Sequence, residues 1–179
     1  AFTGGRSPDV INIGGPSIVA LIHCAQLLQE SDSEVRFYGI TGTDEEGQFI
    51  RDRLSETPVH IAAWKRSKKR TASTIVLSDP DYDDGHGERM FINTIGAAGD
   101  LVPEDLGDDF FDADIHVYGG TALVPNIHDH LPTLLKKSKD RDALTVVNTV
   151  YDFRNQKADP DGRWPLGGDG AYPLTDLLI

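Results

Sequence analysis

Three glycine-bearing segments hold the residues best placed for chemistry. Gly14-Gly15-Pro16-Ser17 stands directly before an apolar run with helical spacing. Two glycines ahead of a helix let backbone N–H groups approach a ligand hydroxyl closely. A plain helix entry after a turn accounts for them as well. Gly96-Ala97-Ala98-Gly99-Asp100 follows a β-rich run and precedes a helix start at Pro103 to Leu106, and Gly119-Gly120 closes the run Ala113 to Tyr118. No dinucleotide loop is read at Gly119: the Gly-x-Gly-x-x-Gly spacing is absent and Pro125 interrupts the approach.

Other chemistry is weaker. Asp79, Asp81 and Asp83 imitate the start of an EF-hand loop, but the required Gly is displaced to Gly85 and the bidentate position falls on Met90. A solvated acidic turn is expected. His128 and His130 are two apart on a predicted helix and face different ways, so shared metal ligation is not expected. His23 and His116 lie in apolar runs and read as satisfied core histidines. Cys24 lies within Ile18 to Leu28 and predicts a buried thiol. No Ser-His-Asp or Cys-His constellation can be argued from the spacing. Gly167-Gly168-Asp169-Gly170 has no helix behind it and reads as a flexible turn.

Composition narrows the class. The 179 residues are 39% hydrophobic and 26% charged, which suits a folded globular chain. A formal net charge of −12 argues against a nucleic-acid surface, which needs clustered cations. The one basic cluster, Lys65-Arg66 with Lys68-Lys69-Arg70, reads as a solvated strand edge. One cysteine excludes an internal disulfide and fits a reducing cytoplasm. No apolar run reaches the length of a membrane span.

These residues need elements to hold them. Ile18, Leu21, Ile22, Ala25 and Leu28 predict a helix; Val35 to Ile40 alternates and predicts a strand. Thr43 to Glu46 has the form of a capping box opening a helix through Phe49, Ile50 and Leu54. Val59 to Trp64, Thr71 to Leu77 and Arg89 to Ile95 are three β-type runs without a helix between them. They predict a small antiparallel sheet set apart, its last two strands joined by the turn at 79–85. The alternation then resumes: a strand at Asp114 to Tyr118, a helix at Asn126 to Lys139, a strand at Leu144 to Thr149. A loop is predicted over 155–173 and a buried strand over Leu174 to Ile179. Such alternation implies α/β architecture, a mainly parallel sheet covered on both faces.

In this order the segments resemble those of the PfkB sugar kinases, the ribokinase-like family. Gly87-Glu88-Arg89 through Gly96-Ala97 resembles the family's lid segment, with Thr71-Ala72-Ser73-Thr74 leading into it. Gly14-Gly15 with Ala20 is similar to the family's first signature, although Ile18 stands where an Asn belongs. Gly39-Ile40-Thr41-Gly42-Thr43-Asp44-Glu45-Glu46-Gly47 is similar to its Gly-x-x-Gly-x-Asp-x-x-Gly turn. Ala113 to Gly120 resembles the strand ending at a substrate-facing Gly. Val146-Val147-Asn148 with Arg154 is loosely similar to an Asp-x-Asn-x-Arg strand end, with Asn148 in place of the Asp.

The resemblance implies a three-layer ribokinase-like fold with a β lid, divided as core at 1–57, lid insert at 58–98 and core again at 99–179. It implies that the whole protein transfers the γ-phosphoryl of ATP to a sugar or sugar-like hydroxyl, with Mg²⁺ bridging the phosphates. Gly14, Gly15 and Ser17 would form the substrate floor, Gly96, Ala97 and Ala98 the lid contact, and Gly119, Gly120 and Asn148 strand ends on the same cleft. The catalytic base and the nucleotide site are expected outside this sequence, so the chain alone is expected to be inactive. A cytoplasmic protein is expected, with a small-molecule sugar substrate, no nucleic-acid or membrane partner, and room for a homodimer through the lid. A non-catalytic binding or assembly module on the same fold is the alternative, favoured by Ile18 and Asn148.

Overall fold

The computed structural model describes residues 4–162, 164 and 166–179. Its first element is helix α1 (Pro16–Leu27), which Pro16 opens at a position where a missing N–H costs nothing. Strand β1 (Arg36–Gly42) and helix α2 (Glu45–Ser55) follow. The N-cap of α2 is Asp44, one residue later than the predicted box, and its carboxylate accepts from Gly47 N at 3.1 Å.

Asp44 also ties α2 to a distant segment. It accepts from Thr71 N at 2.8 Å and from the Thr71 hydroxyl. The Thr71 hydroxyl in turn accepts from Gly42 N at 3.0 Å. These bonds, the Thr71 hydroxyl foremost, hold the Asp44 carboxyl below its usual range. The contribution is therefore present above the ordinary carboxylate pKa and is lost as pH falls through the depressed value. Asp44→Ala should cost at least the ~1 kcal/mol of a lost cap and should flatten the acid arm of stability, measured by denaturant titration at pH 7 and pH 3.

Strand β2 (His60–Ser67) corrects a prediction. It pairs in parallel with β1, from Arg36↔His60 to Gly42↔Ser67, rather than with the strands that follow. The reason is the crossover: α2 lies between β1 and β2 in sequence and returns the chain to run alongside β1 in the same direction. Only β3 (Ser73–Asp79) and β4 (Glu88–Thr94) form the antiparallel pair, in register from Ser73↔Thr94 to Asp79↔Glu88. Their connection contains the single distorted turn α3 (Tyr82–Gly85), with Asp83 and Asp84 at positive φ. Both faces of this hairpin are open, and Val76, Met90 and Phe91 are exposed.

After 3₁₀ turns at Gly96–Asp100 and Pro103–Asp105 the parallel pattern returns. Strand β5 (Ile115–Gly119) pairs with β6 (Leu144–Asn148), and β6 with β7 (Leu177–Leu178), all in parallel. The parallel strands thus fall into two groups, β1-β2 and β5-β6-β7. The predicted helix Asn126 to Lys139 is two helices, α4 (Pro125–Asp129) and α5 (Leu131–Lys139). The break falls at His130, because Pro132 in the first turn of α5 has no N–H to give the His128 carbonyl four residues back and its ring crowds that carbonyl. The predicted loop begins with helix α6 (Phe153–Ala158), capped by Asp152. Its residues Arg163 and Pro165 lie outside the described residues.

The core sits between α5 and the β5-β6 pair. Leu131, Leu135 and Val147 are fully buried there, with Phe111, Tyr118 and Ile127 around them. Tyr118 donates or accepts at Ser138 Oγ, 2.8 Å away, and burial pushes its phenol up to about 12. His116 is buried as predicted but is not satisfied. It stacks on Phe110 at 5.2 Å, neither ring nitrogen has a hydrogen-bond partner among the described residues, and burial pushes its pKa down.

Three predicted burials do not occur. Cys24 is exposed and so is His23, because α1 packs mainly against β5 and only Ala25 of the helix is buried. At the other end β7 forms and pairs, yet Leu177, Leu178 and Ile179 remain exposed. Backbone pairing with β6 holds this strand, while no side-chain layer covers it among the described residues.

Candidate functional site

Four of the residues singled out by sequence meet at the C-terminal ends of β5 and β6. Gly119 lies opposite Asn148 in register, and Gly120 N donates to the Asn148 carbonyl at 3.1 Å. Gly120 takes a left-handed conformation, φ +61°, that turns the chain into the 3₁₀ turn Thr121–Leu123. Ser17, in the first turn of α1, sits directly over Gly119. A Cβ on Gly119 would fall 1.8 Å from Ser17 Oγ and 2.4 Å from its Cβ. The glycine is therefore what lets α1 land on the strand end. Gly14 and Gly15 lead into this contact from the open side, Gly15 at φ +108° and both exposed. In open α/β sheets, ligands bind outside the carboxyl ends of the strands.

Gly96, Ala97 and Ala98 form a separate wall. Gly96 is at φ +49°, with space for a Cβ closed by the Arg70 carbonyl, and Ala97 N donates to that carbonyl at 2.7 Å. Ala97 is fully buried. Asp100, at the end of this turn, accepts from Ser67 Oγ and Lys69 Nζ. The bridge between the two walls is Asn126, whose carboxamide donates to the Gly99 carbonyl at 2.9 Å. The basic cluster is largely neutralised: Lys65 pairs with Asp105, Lys69 with Asp100 and Arg70 with Glu46.

The sequence reading missed a buried polar chain beside the first wall. Thr121 Oγ1 lies 2.9 Å from His128 Nδ1, and His128 Nε2 lies 3.1 Å from Asp152 Oδ2. All three residues are buried. Burial raises the Asp152 pKa, but the Asn155 backbone N–H, the Asn155 carboxamide and His128 outweigh it and hold the carboxyl low. These residues line a cavity of about 320 Å³ together with Tyr151, Trp164 and Tyr172. The legible signal was Asp152 three residues before Asn155, a cap spacing; the pairing with His128 spans 24 residues and is set only by the fold.

Among the described residues, two buried polar atoms near this chain have no partner, Asn148 Oδ1 and Arg154 Nε. The Arg154 guanidinium is held by Asp129 in a two-pronged pair at 3.0 and 2.6 Å. That pairing holds the Asp129 carboxyl below its usual range. No group of three His, Cys, Asp or Glu side chains suited to a metal ion occurs among the described residues. No described helix is long and apolar enough to cross a membrane.

No protein-family model and no curated protein matches the sequence. Solved structures do. The chain is similar to a fructokinase from Xylella fastidiosa, with a TM-score of 0.67 and 20% identity over 96% of this chain and 56% of that one. It is similar to a ribokinase from Giardia lamblia, with a TM-score of 0.67 and 18% identity over 98% of this chain and 50% of that one. A third is an adenosine kinase from Anopheles gambiae in complex with P1,P4-di(adenosine-5) tetraphosphate, with a TM-score of 0.69 and 21% identity over 93% and 46%. The fold is thus the α/β fold of the ribokinase-like kinases, with parallel strands and a small antiparallel pair. The chain spans about half the length of these structures.

Proposed function

We propose that this chain is the substrate-floor and lid portion of a kinase that transfers the γ-phosphoryl of ATP to a hydroxyl of a sugar or sugar-like molecule. The observation that carries the reading is the seat of Ser17 on Gly119, within a fold shared with sugar and nucleoside kinases. It lays the exposed Gly14-Gly15 backbone beside the carboxyl ends of β5 and β6, where a hydroxyl-bearing ligand can meet backbone N–H groups. In this reading Gly14, Gly15, Ser17, Gly119, Gly120 and Asn148 form the floor. Gly96, Ala97 and Ala98 form the wall that follows the β3-β4 hairpin, and that hairpin alone acts as the lid, since β2 pairs with β1.

In this reading ATP and Mg²⁺ are held by the half of the fold that this chain does not span. The chain's own contribution is to bind and orient the acceptor hydroxyl and to exclude water, and positioning is a large part of phosphoryl-transfer catalysis. The single cysteine supports a cytoplasmic setting. The exposed apolar side chains of the hairpin support a homodimer through the lid.

The test is Mg²⁺-dependent ADP release by the full-length protein offered D-fructose, D-ribose and adenosine. Turnover with at least one acceptor is expected, and none from the isolated 179-residue chain. Saturable binding of an acceptor without ADP release would replace this reading with the non-catalytic binding module, for which Ile18 and Asn148 speak.

A further inference from the structure

Past the C-terminal ends of β5 and β6, the side-chain protons of Thr121, His128, Thr149 and Trp164 around the cavity are committed to protein acceptors. Asp152 is an acceptor only: it already receives Asn155 N at 3.2 Å and Asn155 Nδ2 at 2.6 Å, so His128 Nε2 must carry the proton it shares with Asp152. In a neutral imidazole Nδ1 is then bare, and it can only accept from Thr121. Thr121 has one hydroxyl proton and spends it there. Thr149, on the same cavity, donates its own proton to the Ile179 carbonyl at 3.1 Å. The Trp164 indole N–H is spent on the Asp159 carbonyl at 2.9 Å. What faces the cavity from these groups is lone pairs and aromatic surface, with Tyr151 and Trp164 edge to face at 6.2 Å.

We propose that this cavity is a binding site for an uncharged polyol ring, in which Thr121 is a specificity-determining acceptor whose direction is set by His128 and Asp152. A hydroxyl-rich ring brings donors for the Thr121 lone pairs, acceptors for the Tyr151 and Tyr172 hydroxyls that share the lining, and apolar C–H faces for the aromatic rings. A small anion has no proton to give the Thr121 lone pairs, and it would face the Asp152 carboxylate across a buried network. The volume of about 320 Å³ fits a small ring. Val150 lines the cavity and stands 3.9 Å from a Cβ placed on Gly120, so the site adjoins the floor at Ser17 and Gly119. The proposal rests on the kinase reading only for its choice of probes.

Two measurements on the full-length protein decide it. Nitrogen NMR of the histidine ring should show His128 protonated at Nε2 and bare at Nδ1 in the neutral state; protonation at Nδ1 overturns the proposal. Calorimetry with D-fructose, D-ribose and adenosine should show at least one bound, with Thr121→Val weakening it about tenfold and Thr121→Ser restoring it. Unchanged affinity in a folded Thr121→Val protein overturns the proposal, as does failure of all three probes to bind. If Thr121→Val does not fold, the ring spectrum and the affinity of Thr121→Ser, expected near wild type and overturning if lost, stand in its place. ADP release separates the two readings. Phosphorylation unaffected by Thr121→Val sinks this site and leaves the kinase; Thr121-dependent binding without ADP release sinks the kinase and leaves the site.

Discussion

Replacing Gly119 by alanine should unseat the first turn of α1 and, on the function proposed above, abolish acceptor binding at the floor. The added Cβ would lie 1.8 Å from Ser17 Oγ, 2.4 Å from Ser17 Cβ and 3.3 Å from its Cα. A rotamer change relieves only the first of these distances. The second requires the backbone of α1 to withdraw, and α1 packs mainly against β5. Overpacking of this kind costs about 1–3 kcal/mol, and the displacement carries Gly14 and Gly15 away from the strand ends.

The same geometry predicts its own rescue. Ser17→Gly removes the two nearest of these atoms and leaves only the Cα at 3.3 Å, so the double variant should recover most of the stability that Gly119→Ala loses. A double-mutant cycle by denaturant unfolding should therefore show strong coupling between positions 17 and 119. Ser17→Gly alone should cost little more than a helix-entry glycine, about 1 kcal/mol. Additive losses would mean that the two residues do not touch, and the floor would have to be built from other residues.

How much of this was legible in the sequence differs from element to element. Alternation of β-rich and helical runs gave the α/β class, because periods of 2 and 3.6 are local properties. The hairpin of β3 and β4 was legible because a turn-rich seven-residue stretch separates two β-type runs. The partner of β2 was not: pairing is decided by where the α2 crossover returns the chain, which no local pattern records. Cys24 shows the same limit from the other side. Its apolar surroundings in sequence announce burial, yet burial requires a second element to pack against, and α1 lacks one along most of its length. At the site, Gly119 and Gly120 stood out by residue type alone, whereas Ser17 earns its place through contact over more than 100 residues of chain. The Thr121–His128–Asp152 chain was hidden for a different reason: its two bonds join an ordinary threonine, one of two neighbouring histidines and a helix cap, none of which stands out by type.

Gly96→Ala should be the most damaging single-methyl substitution in the lid wall. Two independent penalties coincide there. The residue stands at φ +49°, a left-handed conformation that costs an L-residue roughly 1–2 kcal/mol. The new Cβ would also lie 2.3 Å from the Arg70 carbonyl oxygen and 3.2 Å from its carbon, backbone atoms that cannot rotate away as a side chain does. That carbonyl is the acceptor for Ala97 N at 2.7 Å, so relief of the clash stretches the bond fixing the 3₁₀ turn at Gly96–Asp100. Thr71, next in the chain, holds Asp44 at the start of α2, so a shift at Arg70 is passed to the α2 cap. Together these effects should cost about 3 kcal/mol or more, the sum of the conformational term and a buried overpacking term. Gly99→Ala supplies the control, since its Cβ would meet only Ile95 Cγ2 at an ordinary 3.4 Å. Equal stability of the two variants in denaturant unfolding would contradict the assigned conformation of the turn. A loss confined to Gly96→Ala, with hydrogen exchange rising at the amides of Ala97 and Thr71, identifies the Arg70 carbonyl as the point on which this wall turns.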